Sequence, residues 1–164
     1  MRASLWCGRV RVVQGCDDGA LIMALDPSLQ LQIDEARNAG DLWNARVAID
    51  RVFDETVHDA DLWAARGELL VETGDTPEGG RWLFFSGVDD PSYQDAVQVF
   101  LEEHPPSGQL FDFQIPGREF GRPVSVSHLP SHVQERLVGV GYRGVGRVVS
   151  YPETSDFTGA VITL

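Results

Sequence analysis

The chain of 164 residues contains no lysine, since all 13 of its basic residues are arginine. This absence excludes every mechanism that depends on a lysine amine. Long hydrophobic runs are also missing, because no stretch reaches the roughly 18 uncharged apolar residues that a membrane span needs. We therefore expect a soluble protein without a membrane partner.

Cysteine is scarce, and the two cysteines, Cys7 and Cys16, are nine residues apart. This separation matches none of the close-paired spacings of zinc sites or redox motifs. Arg9 and Arg11 interrupt the apolar segment that a secretory signal would need. The sequence therefore predicts reduced thiols and a cytoplasmic location.

Acidic charge is abundant and unevenly distributed. The net charge is −12, and residues 17–112 contain 21 acidic residues against five arginines. Residues 1–16 contain three arginines and no acid, and residues 113–164 are nearly balanced. A field of this sign repels phosphate backbones and anionic lipid and attracts basic partners. The predicted partner is a basic protein or peptide, and nucleic-acid binding is disfavoured.

From residue 28 onward, apolar residues recur at intervals of three and four, which predicts helices with one buried stripe. The pair Gly40-Asp41 predicts the end of one helix and the cap of the next, and Gly74-Asp75 repeats this signal 34 residues later. The hexamer DLWNAR at 41–46 returns as DLWAAR at 61–66. We expect the Asp of each copy to be a helix N-cap.

Residues 60–93 resemble a tetratricopeptide repeat, which has the same 34-residue length and consists of two antiparallel helices. Arg66 and Leu70 depart from the expected Leu and Tyr. The positions that match are Trp63, Gly67, Gly74, Gly79, Leu83 and Pro91. A weaker copy precedes this unit by 34 residues. The segment Gly79-Gly-Arg-Trp-x-x-x-Ser86 after a helical repeat resembles a group of small uncharacterised bacterial proteins from high-GC organisms. This resemblance covers about residues 28–104 and implies no known activity.

These patterns predict a mainly α fold with three parts. Residues 1–24 are interpreted as an N-terminal extension, either disordered or upstream of a true start at Met23. Residues 25–104 are predicted to form the tetratricopeptide-like domain of antiparallel helical hairpins. Residues 105–164 are predicted to pack on it as a small mixed α/β or irregular segment. Its predicted elements are a strand at 111–115, a helix at 130–138, and strands at 147–151 and 160–164.

Two glycine-rich stretches raise the question of a phosphate or dinucleotide site. Gly74, Gly79 and Gly80 follow a helix and lack the Gly-Lys-Ser/Thr ending of a phosphate loop, so we interpret them as sites of helix reversal and close helix crossing. The run Gly139-Val-Gly-Tyr-Arg-Gly144 matches the dinucleotide fingerprint in letters only, because it also follows a helix and just 20 residues remain after it. We interpret this run as a flexible connector.

The sequence contains no recognisable catalytic constellation. His128 and His132 are separated by Pro130, which places His128 outside the predicted helix, and neighbouring acids on a helix point about 100° apart. We therefore predict no catalytic residues, no bound metal and no cofactor.

One acidic arrangement suggests a binding site. Asp61, Glu68 and Glu72 are spaced by seven and four residues and share one stripe of a helix. The repeat resemblance implies that this stripe lines a concave groove, with Asp34 as the equivalent position one repeat earlier. A merely solvated face is the alternative, since surface charge is the default.

The leading hypothesis is a small binding protein whose acidic helical face engages a basic protein or peptide, and an immunity-type inhibitor of a toxin is a special case of it. One alternative is an enzyme or enzyme accessory domain with a site around His128, His132 or Tyr142. Another is a scaffold or assembly subunit that self-associates through Trp82, Phe84 and Phe85.

Overall fold

The computed structural model describes residues 25–119, 121–144, 146 and 148. In this part of the chain the fold is mainly α, as predicted, and none of its helices is both long and apolar enough to cross a membrane. Three predicted segments lie wholly or mostly outside the described residues: the extension 1–24, the strand 160–164, and the strand 147–151, of which only Val148 is described. The helices are α1 Pro27–Asn38, α2 Leu42–Asp50, α3 Ala60–Glu72, α4 Thr76–Ser86, α5 Gln94–Glu103 and α6 Ser131–Gly139, with 3-10 helices at Pro91–Tyr93 and Gln109–Gln114.

The first predicted helix boundary is confirmed. Gly40 has a φ of 73°, the left-handed conformation that ends α1, and the Asp41 carboxylate accepts the Asn44 N–H at the start of α2. Gly74 has a φ of 90° after α3, but Asp75 makes no side-chain capping bond at the start of α4. The Gly-Asp pair therefore marks the turn between helices at both places, although the Asp forms a capping bond only at the first of them.

The prediction that Asp61 caps its helix is wrong. The structure places Asp59 at the N-cap of α3, with its carboxylate 2.9 Å from the N–H of Leu62. Once Asp59 accepts this bond the helix begins at Ala60, and Asp61 falls within the first turn. A carboxylate there still interacts favourably with the positive end of the helix dipole.

Glycines allow α4 to lie against two helices at once. A Cβ added at Gly67 would be 2.8 Å from the Gly79 carbonyl oxygen, and one added at Gly79 would be 2.8 Å from that of Gly67. A Cβ at Gly67 would also be 2.7 Å from Leu83 Cγ, and one at Gly79 would be 2.6 Å from Val71 Cγ2, so α3 and α4 run in opposite directions. On the other side of α4, a Cβ at Gly80 would overlap the backbone of Ala96 in α5. The interpretation of these glycines as helix-crossing sites is confirmed.

The returning helix α4 supplies the aromatic centre of the main core. Its side chains Trp82, Phe84 and Phe85 are buried and contact Trp63 and Phe100 on the flanking helices. The same cluster includes residues from the C-terminal part of the chain, namely Phe111, Ile115, Val124, Leu129, Val133, Leu137 and Tyr142. Helices α1, α2 and α3 share a second cluster around Ile33, Ala45 and Ile49. The C-terminal residues thus complete a core that the helices begin.

The predicted strand at 111–115 is wrong, because residues 109–114 form a 3-10 helix. Phe111 and Ile115, four residues apart, are both fully buried, whereas Phe113 is half-buried. A strand would also need a partner, and β pairing within the described residues is a single bridge between Pro123 and Val148. The predicted helix at 130–138 is confirmed as α6, with Val133 and Leu137 buried.

Replacing Gly80 with Ala should destabilise the protein, because the added methyl group must push α4 away from the α5 backbone. We expect a loss of about 1 to 3 kcal/mol in the free energy of unfolding, measured by denaturant titration. Gly139→Ala is the matched control, since Gly139 is also helical but no atom beyond its chain neighbours and its own helix backbone lies within 4 Å of the added Cβ. Equal stability of Gly80→Ala and Gly139→Ala would contradict the close crossing.

Candidate functional site

The predicted acidic stripe lies where α1 meets α3. The guanidinium of Arg37, on α1, donates to Glu68 on α3, with both Nη1 and Nη2 3.3 Å from Glu68 Oε2. Its Nε lies 3.2 Å from Glu72 Oε2, an ion-pair contact without hydrogen-bond geometry. The hydroxyl of Tyr93, just before α5, donates to the other oxygen of Glu68. Three segments of the chain therefore converge on one carboxylate.

This cluster is partly shielded from water. The Arg37 side chain is 16% exposed, that of Glu68 30% and that of Glu72 41%. An ion pair in such a setting is screened less than one on the open surface, and its guanidinium can serve two carboxylates at once. The contact should therefore help to hold α1 against α3.

The other two predicted site residues have different surroundings. Asp34 is exposed on α1 and accepts a hydrogen bond of 2.9 Å from the side chain of Gln30. Asp61 is half-buried in the first turn of α3, about two turns before Glu68. The structure thus brings Glu68 and Glu72 together around Arg37.

The sequence reasoning missed both residues that bind Glu68. Arg37 is the single basic residue in the sequence of α1, which was a usable signal for a pairing with an acidic neighbour. Tyr93 gave no local signal, because its contact with Glu68 joins residues that are 25 positions apart.

Several acidic residues outside this cluster cap helices or turns. The carboxylates of Asp26, Asp41, Asp59 and Asp90 accept backbone N–H groups at the starts of helices. Hydrogen bonds from the Ser28 hydroxyl, and then from the N–H groups of Leu29 and Ser28, hold the pKa of Asp26 below its usual value. Part of the negative charge therefore serves local structure.

The residues of the enzyme hypothesis have separate partners. His128 Nε2 lies 2.9 Å from the Pro116 carbonyl oxygen, and the Tyr142 hydroxyl donates to Asp112 over 2.9 Å. His132 lies beside Gly87, which follows α4. Across the described ranges, no group of three or more His, Cys, Asp or Glu side chains is arranged to bind a metal ion.

The glycine run at 139–144 was predicted to be a flexible connector, but part of it is packed against the core. Tyr142 and Gly144 are buried, and a Cβ at Gly144 would overlap both the Tyr142 hydroxyl and the Asp112 carboxylate. Gly141, with a φ of 85°, provides the turn after α6. The interpretation as a flexible connector is therefore wrong for Tyr142 and Gly144.

The aromatic residues of the scaffold hypothesis do not form a surface. Trp82, Phe84 and Phe85 are each at most 2% exposed. Self-association through them would require the core to open, so any assembly of the folded chain must use other residues. Trp43, which is 71% exposed on α2, is the largest apolar side chain on the described surface.

Arg66 lines a small pocket between α2 and α3. Asp50 pairs with both Arg66 and Arg46, and the Arg66 guanidinium stacks 4.1 Å from the centre of the Phe53 ring. The pocket floor is apolar, formed by Ile49, Leu69 and Leu70. These contacts fix Arg66 in place and account for its burial beside the core.

No protein-family model matches the chain, and neither the curated proteins nor the solved structures give a match. The resemblance to tetratricopeptide repeats and to small bacterial proteins therefore stays a prediction.

Replacing Arg37 with Met should loosen α1 from α3, because Glu68 and Glu72 then lose the guanidinium that they share. We expect a loss of about 1 to 2 kcal/mol in the free energy of unfolding, between the values typical of exposed and buried ion pairs. Arg122→Met is the control, since Arg122 is 72% exposed and pairs with an exposed Glu119. An equally small effect of both substitutions would contradict a structural role for Arg37.

Tyr142→Phe should also destabilise the protein, because it removes the hydroxyl that donates to the buried carboxylate of Asp112. We expect a loss of about 1 to 3 kcal/mol, measured by thermal or denaturant unfolding. Unchanged stability would show that the hydroxyl has no structural role and would return Tyr142 to the enzyme hypothesis.

Proposed function

We propose that the chain is a protein-binding module that engages a basic protein or peptide through an acidic face on α1 and α3. This acidic face consists of Asp34, Asp61, Glu68 and Glu72. The observation that supports the proposal is the position of Arg37, whose guanidinium nitrogens lie 3.2 to 3.3 Å from the carboxylate oxygens of Glu68 and Glu72. Two carboxylates of the face thus already bind the chemical group that a basic partner would offer.

The helix arrangement supports a tetratricopeptide-like framework for this face. In such a repeat the first helix of each unit lies next to the first helix of the following unit, and together they line one side of the array. If α1, α3 and α5 are these first helices, residues from them should meet on that side. Arg37 from α1, Glu68 from α3 and Tyr93 from the turn before α5 make such a contact.

The charge of the face favours the same kind of partner. Its four carboxylates and the guanidinium of Arg37 carry a net charge of −3, within a chain whose net charge is −12. Complementary charge raises the rate of encounter with a basic partner, and added salt weakens this effect. An immunity-type inhibitor of a basic toxin in the cytoplasm is the special case that this logic favours.

The proposal predicts that the protein captures a basic protein and that this capture depends on the acidic face. The purified protein is immobilised as bait in lysate of its own host and washed with rising salt. The test variant combines Asp34→Asn, Asp61→Asn and Glu72→Gln, which removes three charges and leaves Glu68 to hold Arg37. We expect one near-stoichiometric basic protein, released by salt, with capture by the variant reduced about tenfold or more.

A charge-matched control separates the face from the overall field. Glu55→Gln, Glu102→Gln and Glu103→Gln remove the same number of charges from exposed positions outside α1 and α3. This control should keep most of the capture. Equal losses in the two variants, or capture that does not respond to salt, would count against the acidic face as the binding site.

A further inference from the structure

The C-terminal end of α4 is held by side chains from two other parts of the chain. From α6, Arg136 Nη1 donates to the Phe84 carbonyl oxygen over 3.0 Å. From the loop before α3, His58 Nε2 lies 3.1 Å from the Phe85 carbonyl oxygen. Gly87, with a φ of 74°, ends α4 between them. Besides the packing of Val133 and Leu137 in the main core, this helix end is therefore a second place where α6 is attached to the helices before it.

Two histidines face each other at this attachment. His132, on α6, lies directly against Gly87, and its ring centre is 6.3 Å from that of His58. His58 is half-buried, with its ring centre 4.7 Å from that of the fully buried Trp63. Positive charge on both imidazoles would place two like charges within one Debye length, in a partly dry setting.

The surroundings of His58 favour its neutral form. Burial lowers its pKa below the ordinary value of 6.5, the Phe85 carbonyl raises it, and the nearby His132 lowers it again. The carboxylate of Asp59, the neighbouring residue, acts in the opposite direction to burial. The net effect is a lowered pKa, so acidification charges His58 at a cost to the folded state.

A charge on His58 would lie near the first turn of α6, which contains His132. His132 is the second residue of α6, whose first turn contains no acidic residue and whose start has no side-chain cap. A positive charge at a helix N-terminus interacts unfavourably with the helix dipole. Arg136, one turn later, adds a further positive charge, and its partner Asp89 lies 4.0 Å away and is almost fully exposed.

We propose that His58 and His132 form a proton-sensitive latch, in which a neutral His58 keeps α6 docked on the end of α4 and a charge on His58, which faces His132 across this contact, weakens the docking. The sign of the pH effect follows from the lowered pKa of His58. The unfolded or undocked state binds the proton more readily, so docking is strongest above pH 6.5 and weakens as the pH falls through that value. Carboxylates with ordinary pKa values stay ionised over most of this window.

Hydrogen exchange of the α6 amides tests this latch. Exchange is measured by NMR at pH 7.5 and at pH 5.5, with the intrinsic rates corrected for pH. We expect the opening equilibrium of α6 to increase by about fivefold or more at the lower pH, because the open state binds the proton on His58 more readily. The amides of α3, measured in the same samples, should change less. Unchanged protection of α6 would overturn the proposal.

A single substitution separates the latch from general acid sensitivity. His132→Gln removes the exposed imidazole that faces His58, and we expect it to reduce the pH response and to raise the pKa of His58 in an NMR titration. His104→Gln is the control, because His104 lies at the end of α5 against Phe100 and should leave the response intact. A full pH response in the His132→Gln variant would refute the role of the histidine pair.

Discussion

The contact on which the rest of the structure depends is the close approach of α4 to two neighbouring helices. Consecutive positions on a helix point about 100° apart, so Gly79 and Gly80 give α4 two positions without a side chain that face different directions. Gly79 lies against Gly67 of α3, and Gly80 lies against the backbone of Ala96 in α5. Because the backbones meet, the large side chains of α4 are directed into the space beyond the crossings, where they form the aromatic core.

The same helix couples the two halves of the described chain. Its buried aromatic residues Phe84 and Phe85 share a cluster with Phe111 and Leu137 from the C-terminal part, and its last carbonyl groups bind side chains from α6 and from the loop before α3. A change in the position of α4 would therefore disturb both the helices before it and the segment after them. This explains how the described residues of the C-terminal stretch, which form no regular strand, can be fixed in place.

Local signals in the sequence predicted the parts of the fold that depend on neighbouring residues. The Gly40-Asp41 boundary and α6 need only backbone conformation, capping and apolar spacing, all of which lie within a few residues. The strand predicted at 111–115 was wrong because alternation of Phe111 with Phe113 resembles a strand, whereas contacts with distant core residues select a 3-10 helix. The pairing of Arg37 with Glu68 in the candidate site could not be predicted for the same reason, since the two residues are 31 positions apart in the sequence.

The acidic charge has two origins that the structure separates. Four aspartates cap helices or turns, whereas Glu68 and Glu72 lie on α3 and face a guanidinium from another helix. The Arg37 contact stabilises α1 against α3 and at the same time occupies the carboxylates that a basic partner would seek. Under the proposed function, an incoming arginine must therefore compete with Arg37 or bind beside it, and the affinity of the face would be the difference between two ion pairs. Such a surface would favour a partner that brings several positive charges, because a single charge gains little by replacing a guanidinium that is already in position.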